Sequence, residues 1–242
     1  MRDRSEEILE AAVREFISSG EPISSGHLYK RYGFGIKPAM IRLELCNLTD
    51  EGYLTQPYHS AGRVPSDMGY RFFAERILES AGTDSRSGEW EKMLEGRNWQ
   101  EMLRNFSRDL GLVGVLAHSG SQDRTPFQEI YKDGLENLFS GLDTDSRTVF
   151  SEVVRDIEEI DDRLIGNRSL FNTDDFLEVF VGKNPVTKSE HLSVMAADYD
   201  VGGDRIIFFA IGPKRMDYEK TAKALKGMKL KNKKVKRKSS GK

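Results

Sequence analysis

GEPISSGHLYKRYGFGIKPAMIRLELCNLTDEGYLTQPYHSAGRVPSDMGYRFF, running from Gly20 to Phe73, decides the fold. Ser24 or Ser25 can cap a helix through Tyr32, and Gly33 and Gly35 break it. The next helix starts near Pro38, whose missing amide donor is not needed in a first turn, and ends at Gly52. Two short helices joined by a glycine-containing turn form a helix-turn-helix pattern. Tyr53 to Pro57 then reads as a short strand, His59 to Arg63 as a small polar turn, and Val64 with Pro65 as the returning limb. That is a hairpin, or wing. Ser66 or Asp67 caps one more helix, with Tyr70, Phe73, Ile77 and Leu78 on a single face. Upstream, Ile8, Ala12, Val13, Phe16 and Ile17 recur at helical spacing and predict an amphipathic helix over residues 4–18. Residues 1–79 are therefore expected to form a winged helix-turn-helix domain that binds DNA.

The helical wheel of the segment after Pro38 sharpens this expectation. At about 100° per residue, Ile41, Glu44, Leu45 and Leu48 share the packed side. Ala39, Leu43, Cys46 and Asp50 form the outward stripe, flanked by Met40, Arg42 and Asn47, with Arg42 and Asn47 as the polar groups able to read bases in a major groove. On the wing, Ser60 can hold a phosphate and Arg63 can enter a minor groove. The expected contact set is Ser25, Lys37, Ala39, Met40, Arg42, Leu43, Asn47, Ser60, Arg63 and Arg71. The plainer alternatives are an ordinary surface helix followed by an ordinary hairpin turn. Residues 24–73 carry six basic and four acidic side chains, so charge alone would give this unit only weak non-specific affinity for DNA.

Composition bounds the rest. The chain has 242 residues, 38% hydrophobic and 31% charged, enough for one large or two small domains with a real core. Its longest dense apolar run, Ile206 to Ile211, is far short of the ~20 residues that span a membrane. The opening MRDRSEE has no apolar signal region, and one cysteine, Cys46, provides neither an internal disulfide nor a thiolate zinc site. A cytoplasmic location and no membrane partner are expected. The formal net charge of -2 is segregated: residues 1–79 sum to -2, 80–213 to -11 and 214–242 to +11. A near-neutral first part, an acidic body and a basic end suggest separate tasks.

Beyond residue 79 the expectation is a linker at 80–97, rich in Ser, Gly and charge with a short helical turn at most, and then an α+β domain over 98–230. Helices are expected near 98–110, 146–164 and 217–228, with a short one through Leu138. Strands are expected at Leu112 to Ala117, around Phe127 to Tyr131, at Leu177 to Val181, Leu192 to Tyr199 and Arg205 to Ile211. Residues 231–242 have too few apolar side chains to fold and read as a disordered basic tail.

Signals for catalysis are poor. There is no G-x-G-x-x-G and no P-loop, and His118 beside Ser119 and Ser121 is no evidence for a triad, which is assembled in space. Asp198, Asp200 and Asp204 mimic the start of a calcium loop, but Gly202 and Phe209 fall where ligands belong, so a hairpin turn through Val201, Gly202 and Gly203 is the better reading. Glu158, Glu159, Asp161 and Asp162 read as a solvated helix face. Neither an enzyme nor a cofactor or metal is expected.

The quoted stretch resembles the winged-helix domain of the heat-inducible transcription repressor family, HrcA, in which a GEP turn, an IR-containing third helix, a GYL-x-QP strand, an SAGR-x-P wing and a GYRF helix follow in this order. FLEVFVGKNP and DRIIFFAIGPKRMDYEK are similar to the end of that family's C-terminal domain. The resemblance implies a repressor of chaperone operons, homodimeric on an inverted-repeat operator of double-stranded DNA, with a GAF-like second domain and the chaperonin as a partner. Two departures stand out. The family usually has Asn after the IR pair where this chain has Leu43, which exchanges bidentate adenine recognition for apolar contact with a thymine methyl. It also normally carries a dimerising insertion of several tens of residues, for which the stretch between Ala117 and Phe127 leaves no room, so a reduced GAF-like domain and a different dimer surface are expected. The alternative is a protein-interaction module on a winged-helix scaffold that has lost its specific operator.

Overall fold

A computed structural model describes residues 3–83, 87–119, 127, 129–142, 146–166 and 176–228. The expected basic tail at 231–242 lies outside the described residues. The fold is mixed helix and sheet, of the α+β class expected.

Helices α1 (Asp3–Ser19), α2 (Ser25–Arg31) and α3 (Pro38–Asp50) close on an apolar centre made by Ile8, Leu9, Val13, Leu28, Ile41, Leu45 and Leu48, all buried. Ser24 is the cap of α2, accepting from the His27 amide at 3.1 Å. Strands β1 (Leu54–Thr55) and β2 (Val64–Pro65) pair antiparallel, Leu54 opposite Pro65. Helix α4 (Asp67–Ser80) follows at once, and its cap Ser66 accepts from the Gly69 amide while its hydroxyl donates to the Gly52 carbonyl at 2.6 Å. Glycine is required at 69, since a Cβ there would lie 2.2 Å from the Tyr53 carbonyl oxygen. The hairpin is thus seated tightly on the start of α4.

The remainder is a five-stranded antiparallel sheet with helices on both faces. Strands β3 (Val113–Ser119), β4 (Glu129–Asp133), β5 (Leu177–Val181), β6 (Leu192–Val201) and β7 (Asp204–Pro213) lie in the order β4-β3-β7-β6-β5. Alternate side chains face opposite layers. Leu116, Met195, Phe208 and Ala210 point to α6 (Trp99–Leu110) and α10 (Tyr218–Gly227), while Val115, Val194, Phe209 and Ile211 point to α8 (Arg147–Glu158) and α9 (Ile160–Gly166). Because both faces are covered, β6 and β7 are apolar almost without alternation. A short α7 (Asn137–Gly141) bridges β4 to α8. The turn through Val201, Gly202 and Gly203 is the expected hairpin, with the Gly203 amide donating to Asp200 at 3.1 Å.

The linker expected at 80–97 is corrected by the structure. Residues Ser87–Glu95 form α5, whose Trp90 is 2% exposed and whose Leu94 is fully buried. The Trp90 ring meets Phe106 of α6 edge-on at 5.6 Å. These two apolar side chains, one helical turn apart, outweigh the Ser, Gly and charge around them.

The first unit and the sheet share one apolar core. Tyr70 and Phe73 of α4 pack on Tyr218 of α10 with ring centroids 6.4 and 6.2 Å apart. Polar contacts frame this seam: Arg14 pairs with Glu219 at 3.2 Å, Asp67 with Lys214, and the Lys226 ammonium donates to the Ala81 and Leu78 carbonyls. Trp90→Ala should lower unfolding free energy by about 3–5 kcal/mol in urea, the cost of emptying a buried aromatic site. A linker residue would cost under ~0.5 kcal/mol.

Candidate nucleic-acid interface

The exposed side of α3 is where the wheel placed it, except that Cys46 of the outward stripe is half-buried. Ile41, Leu45 and Leu48 are buried and Glu44 is half-buried, while Ala39, Arg42, Asn47 and Asp50 are exposed. Leu43 is 51% exposed and Met40 46%, two large apolar side chains on the outward side of the same helix. Lys37 is the exposed N-cap residue, extended at φ -74° and ψ 156°, and its carbonyl begins the helix by accepting from the Met40 amide at 2.9 Å.

Beside this face lies a polar cleft of about 440 Å³ between the start of α2, α3 and the hairpin. Ser24, Ser25, Arg42, Gln56, His59, Ser60 and Arg63 line it. Of the expected contact residues it gathers Ser25, Arg42, Ser60 and Arg63. Lys37, Ala39, Met40, Leu43 and Asn47 lie along α3 outside its lining, and Arg71 is exposed on α4, apart from it.

Arg63 departs from the expectation of a cation projecting from the wing. Its guanidinium folds onto the last turns of α3, with Nε donating to Thr49 Oγ1 at 3.0 Å, one terminal nitrogen 3.6 Å from Cys46 Sγ and the other donating to the Ala61 carbonyl at 3.4 Å. An arginine this close to a helix finds acceptors there, and sequence position alone does not show which way its long stem turns. Gln56 was missed by sequence reasoning. Its side-chain amide donates to the His59 and Ala61 carbonyls at 2.7 and 3.0 Å and so clasps the turn from inside. Only its place at the foot of the hairpin could have drawn notice.

Glu15 of α1 holds α2 in place. His27 Nε2, the Tyr32 hydroxyl and Arg31 Nε reach its carboxylate at 2.7, 2.9 and 3.1 Å. Burial raises the carboxyl pKa, but the His27 and Tyr32 hydrogen bonds and the Arg31 charge outweigh it, leaving it below the ordinary carboxylate value.

The other constellations are engaged in packing, hydrogen bonds and ion pairs. The His118 ring lies 5.9 Å from that of Trp99, tilted by 33°, with Nε2 3.3 Å from Asp204, while the neighbouring Ser119 hydroxyl donates to the Arg205 carbonyl. Asp198 pairs with Arg205 at 2.7 Å and Asp204 with Arg97 at 2.5 Å, and Asp161 of the acidic run pairs with Lys132 at 3.1 Å. Among the described residues no group of three His, Cys, Asp or Glu side chains could hold a metal ion, and no helix is long and apolar enough to cross a membrane.

The family profile described as HrcA protein C terminal domain matches residues 74–222, well over half of the chain. The chain belongs to the HrcA family. It is 34% identical over 183 residues to the heat-inducible transcription repressor HrcA of Frankia casuarinae, which covers 71% of this chain and 53% of that protein. It is 37% identical over 114 residues to the HrcA of Desulforudis audaxviator, covering 47% and 32%, and 46% identical over 77 residues to that of Clostridium perfringens, covering 32% and 23%. The chain thus matches about half the length of the first of these HrcA relatives, or less of the others. A hypothetical protein solved by crystallography at 2.2 Å shares the fold with a TM-score of 0.71 at 18% identity, over 94% of this chain and 96% of that one.

Because folding holds the Glu15 carboxyl below its unfolded value, the stabilisation it provides is complete above the ordinary carboxylate range and is lost as pH falls through the folded value. Glu15→Gln should therefore cost about 1–2 kcal/mol at neutral pH, a figure discounted for its exposed cationic partners. The gap from the parent should close in acid, and a pH-independent gap in thermal melts would show that the charge is not what matters.

Proposed function

We propose that residues 3–80 form a winged helix-turn-helix module that reads double-stranded DNA, and that the chain represses heat-shock genes. The observation that carries this reading is the outward face of α3, where half-exposed Met40 and Leu43 stand beside Arg42 at the mouth of a serine-lined cleft. Apolar side chains suit thymine methyls, and Arg42 and Asn47 suit base edges. Ser25 and Ser60 would hold phosphates in the cleft, with Lys37 and Arg71 on the backbone to either side and Ala39 leaving room for close approach. The family's name and the ordered motifs of residues 20–73 support the same reading.

Two copies on an inverted repeat would supply the affinity that a single half-site lacks. Only residues 120–128 separate β3 from β4, too few for an inserted domain, so the dimer would use another surface. The five-stranded sheet covered on both faces suits the GAF-like architecture that the resemblance implies. The chaperonin partnership, implied in the same way, would appear as a rise in the DNA-competent fraction when chaperonin is added.

The test is selection of duplexes from a randomised pool by the intact chain. Enrichment of an inverted repeat is expected, and Leu43→Asn should shift base preference at one position of each half-site toward adenine. Arg42→Ala should cost about 1–3 kcal/mol of affinity, relaxing specificity at its own position. An identical selected profile for Leu43→Asn would remove α3 from the role of reader. No enrichment by the parent chain would favour the protein-interaction reading.

A further inference from the structure

We infer that Arg63 is a positioning residue, a pin that fastens the wing to α3, rather than a cation that enters DNA; this rests on the DNA-binding reading above. Three features bear on it, the side chain directly and the other two as the frame that it completes. The first is the side chain: Nε donates to Thr49 Oγ1, whose own hydrogen goes to the Leu45 carbonyl at 2.7 Å, so the guanidinium is tied through Thr49 to a buried turn of α3. Cys46 Sγ and the Ala61 carbonyl take up its terminal nitrogens. A planar guanidinium with fixed donor directions suits such a multi-point anchor better than a flexible ammonium would.

The second feature is the backbone. Arg63 and Ile23 exchange two hydrogen bonds of 2.8 Å, an isolated antiparallel bridge that ties the wing to the segment just before α2. Glycine is needed at 62 for that approach, since a Cβ there would sit 2.6 Å from the Ile23 carbonyl oxygen. The third is Gln56, whose amide holds the His59 and Ala61 carbonyls and sets the shape of the tip. Arg63 therefore joins the segment before α2, the end of α3 and the wing. What remains outward on the tip is Tyr58, 64% exposed, with His59 and Ser60.

A pinned wing and reading helix reach DNA as one preformed surface, so ordering the loop does not subtract from affinity. The variants are Arg63→Ala, Arg63→Lys, Thr49→Val and the double variant Thr49→Val with Arg63→Ala, all in the intact chain and well below its unfolding temperature. In the free protein, Arg63→Ala and Thr49→Val should each speed hydrogen exchange of the Ile23 and Ala61 amides at least tenfold. On a duplex selected by the parent chain, each should weaken binding roughly tenfold, with the double variant little worse than either single one. The slope of log affinity against log salt should stay at the parent value, and Arg63→Lys should bind as poorly as Arg63→Ala.

A direct phosphate or groove contact behaves otherwise. Arg63→Ala would reduce the salt slope by about 0.9, Arg63→Lys would recover affinity, and Thr49→Val would be silent; that set of results overturns the proposal. Unchanged exchange in both single variants overturns it too, while leaving DNA binding intact. Failure of the parent chain to bind any duplex, with the exchange effects present, refutes instead the DNA-binding reading and with it the role of the pin in recognition.

Discussion

The Tyr218 ring, 1% exposed, is clamped between Tyr70 and Phe73 of α4, and its hydroxyl is held by Ser193 of β6 at 2.7 Å and the Lys214 carbonyl at 2.9 Å. Burial drives its phenol far above the ordinary tyrosine range, so it stays a neutral hydrogen-bonding group throughout physiological pH. This contact joins the helical unit of residues 3–80 to the sheet. Helix α4 presents one face to α1 and the other end of its apolar stripe to α10, so the three-helix unit and the sheet complete the same core. Buried aromatics of this size dominate core energetics. The β1–β2 hairpin runs directly into α4 through the Ser66 cap.

That seam also changes the meaning of the charge segregation. The last 29 residues carry the basic excess, but much of the part before residue 229 is engaged in the fold. Lys214 pairs with Asp67, Arg215 lies over the Phe16 ring at 5.8 Å, Lys220 donates to the Asp109 carbonyl at 2.6 Å, Lys223 pairs with Glu219 at 2.6 Å and Lys226 holds the end of α4. These cations are partnered with carbonyls, carboxylates and a ring rather than displayed as a field.

Periodicity made most of the fold legible. The faces of α1, α3 and α4 follow from 3.6-residue spacing, and β5, β6 and β7 from short apolar runs separated by turn residues. The hairpin after α3 was marked by its polar tip and by Pro65. Helix α5 was hidden because its composition resembles a linker, and the packing signal rests on Trp90 and Leu94 with partly buried Met93. In the candidate interface, exposure along α3 was legible because it is the complement of the buried face. The fold-back of Arg63 and the clasp of Gln56 were not, because both depend on which carbonyls and hydroxyls the chain brings within 3 Å. Sequence fixes the donor inventory of a side chain but not the acceptors it meets in space.

If the proposed reading holds, the outward face of α3 gives the chain a specific duplex partner. Fluorescence anisotropy of the intact protein on a chaperone-operon inverted repeat and on a scrambled duplex, across a salt series, tests it most directly. A preference of roughly 1,000-fold or more that persists at physiological salt is expected. Equal binding to both duplexes, lost as salt rises, would contradict it and assign the affinity to charge alone.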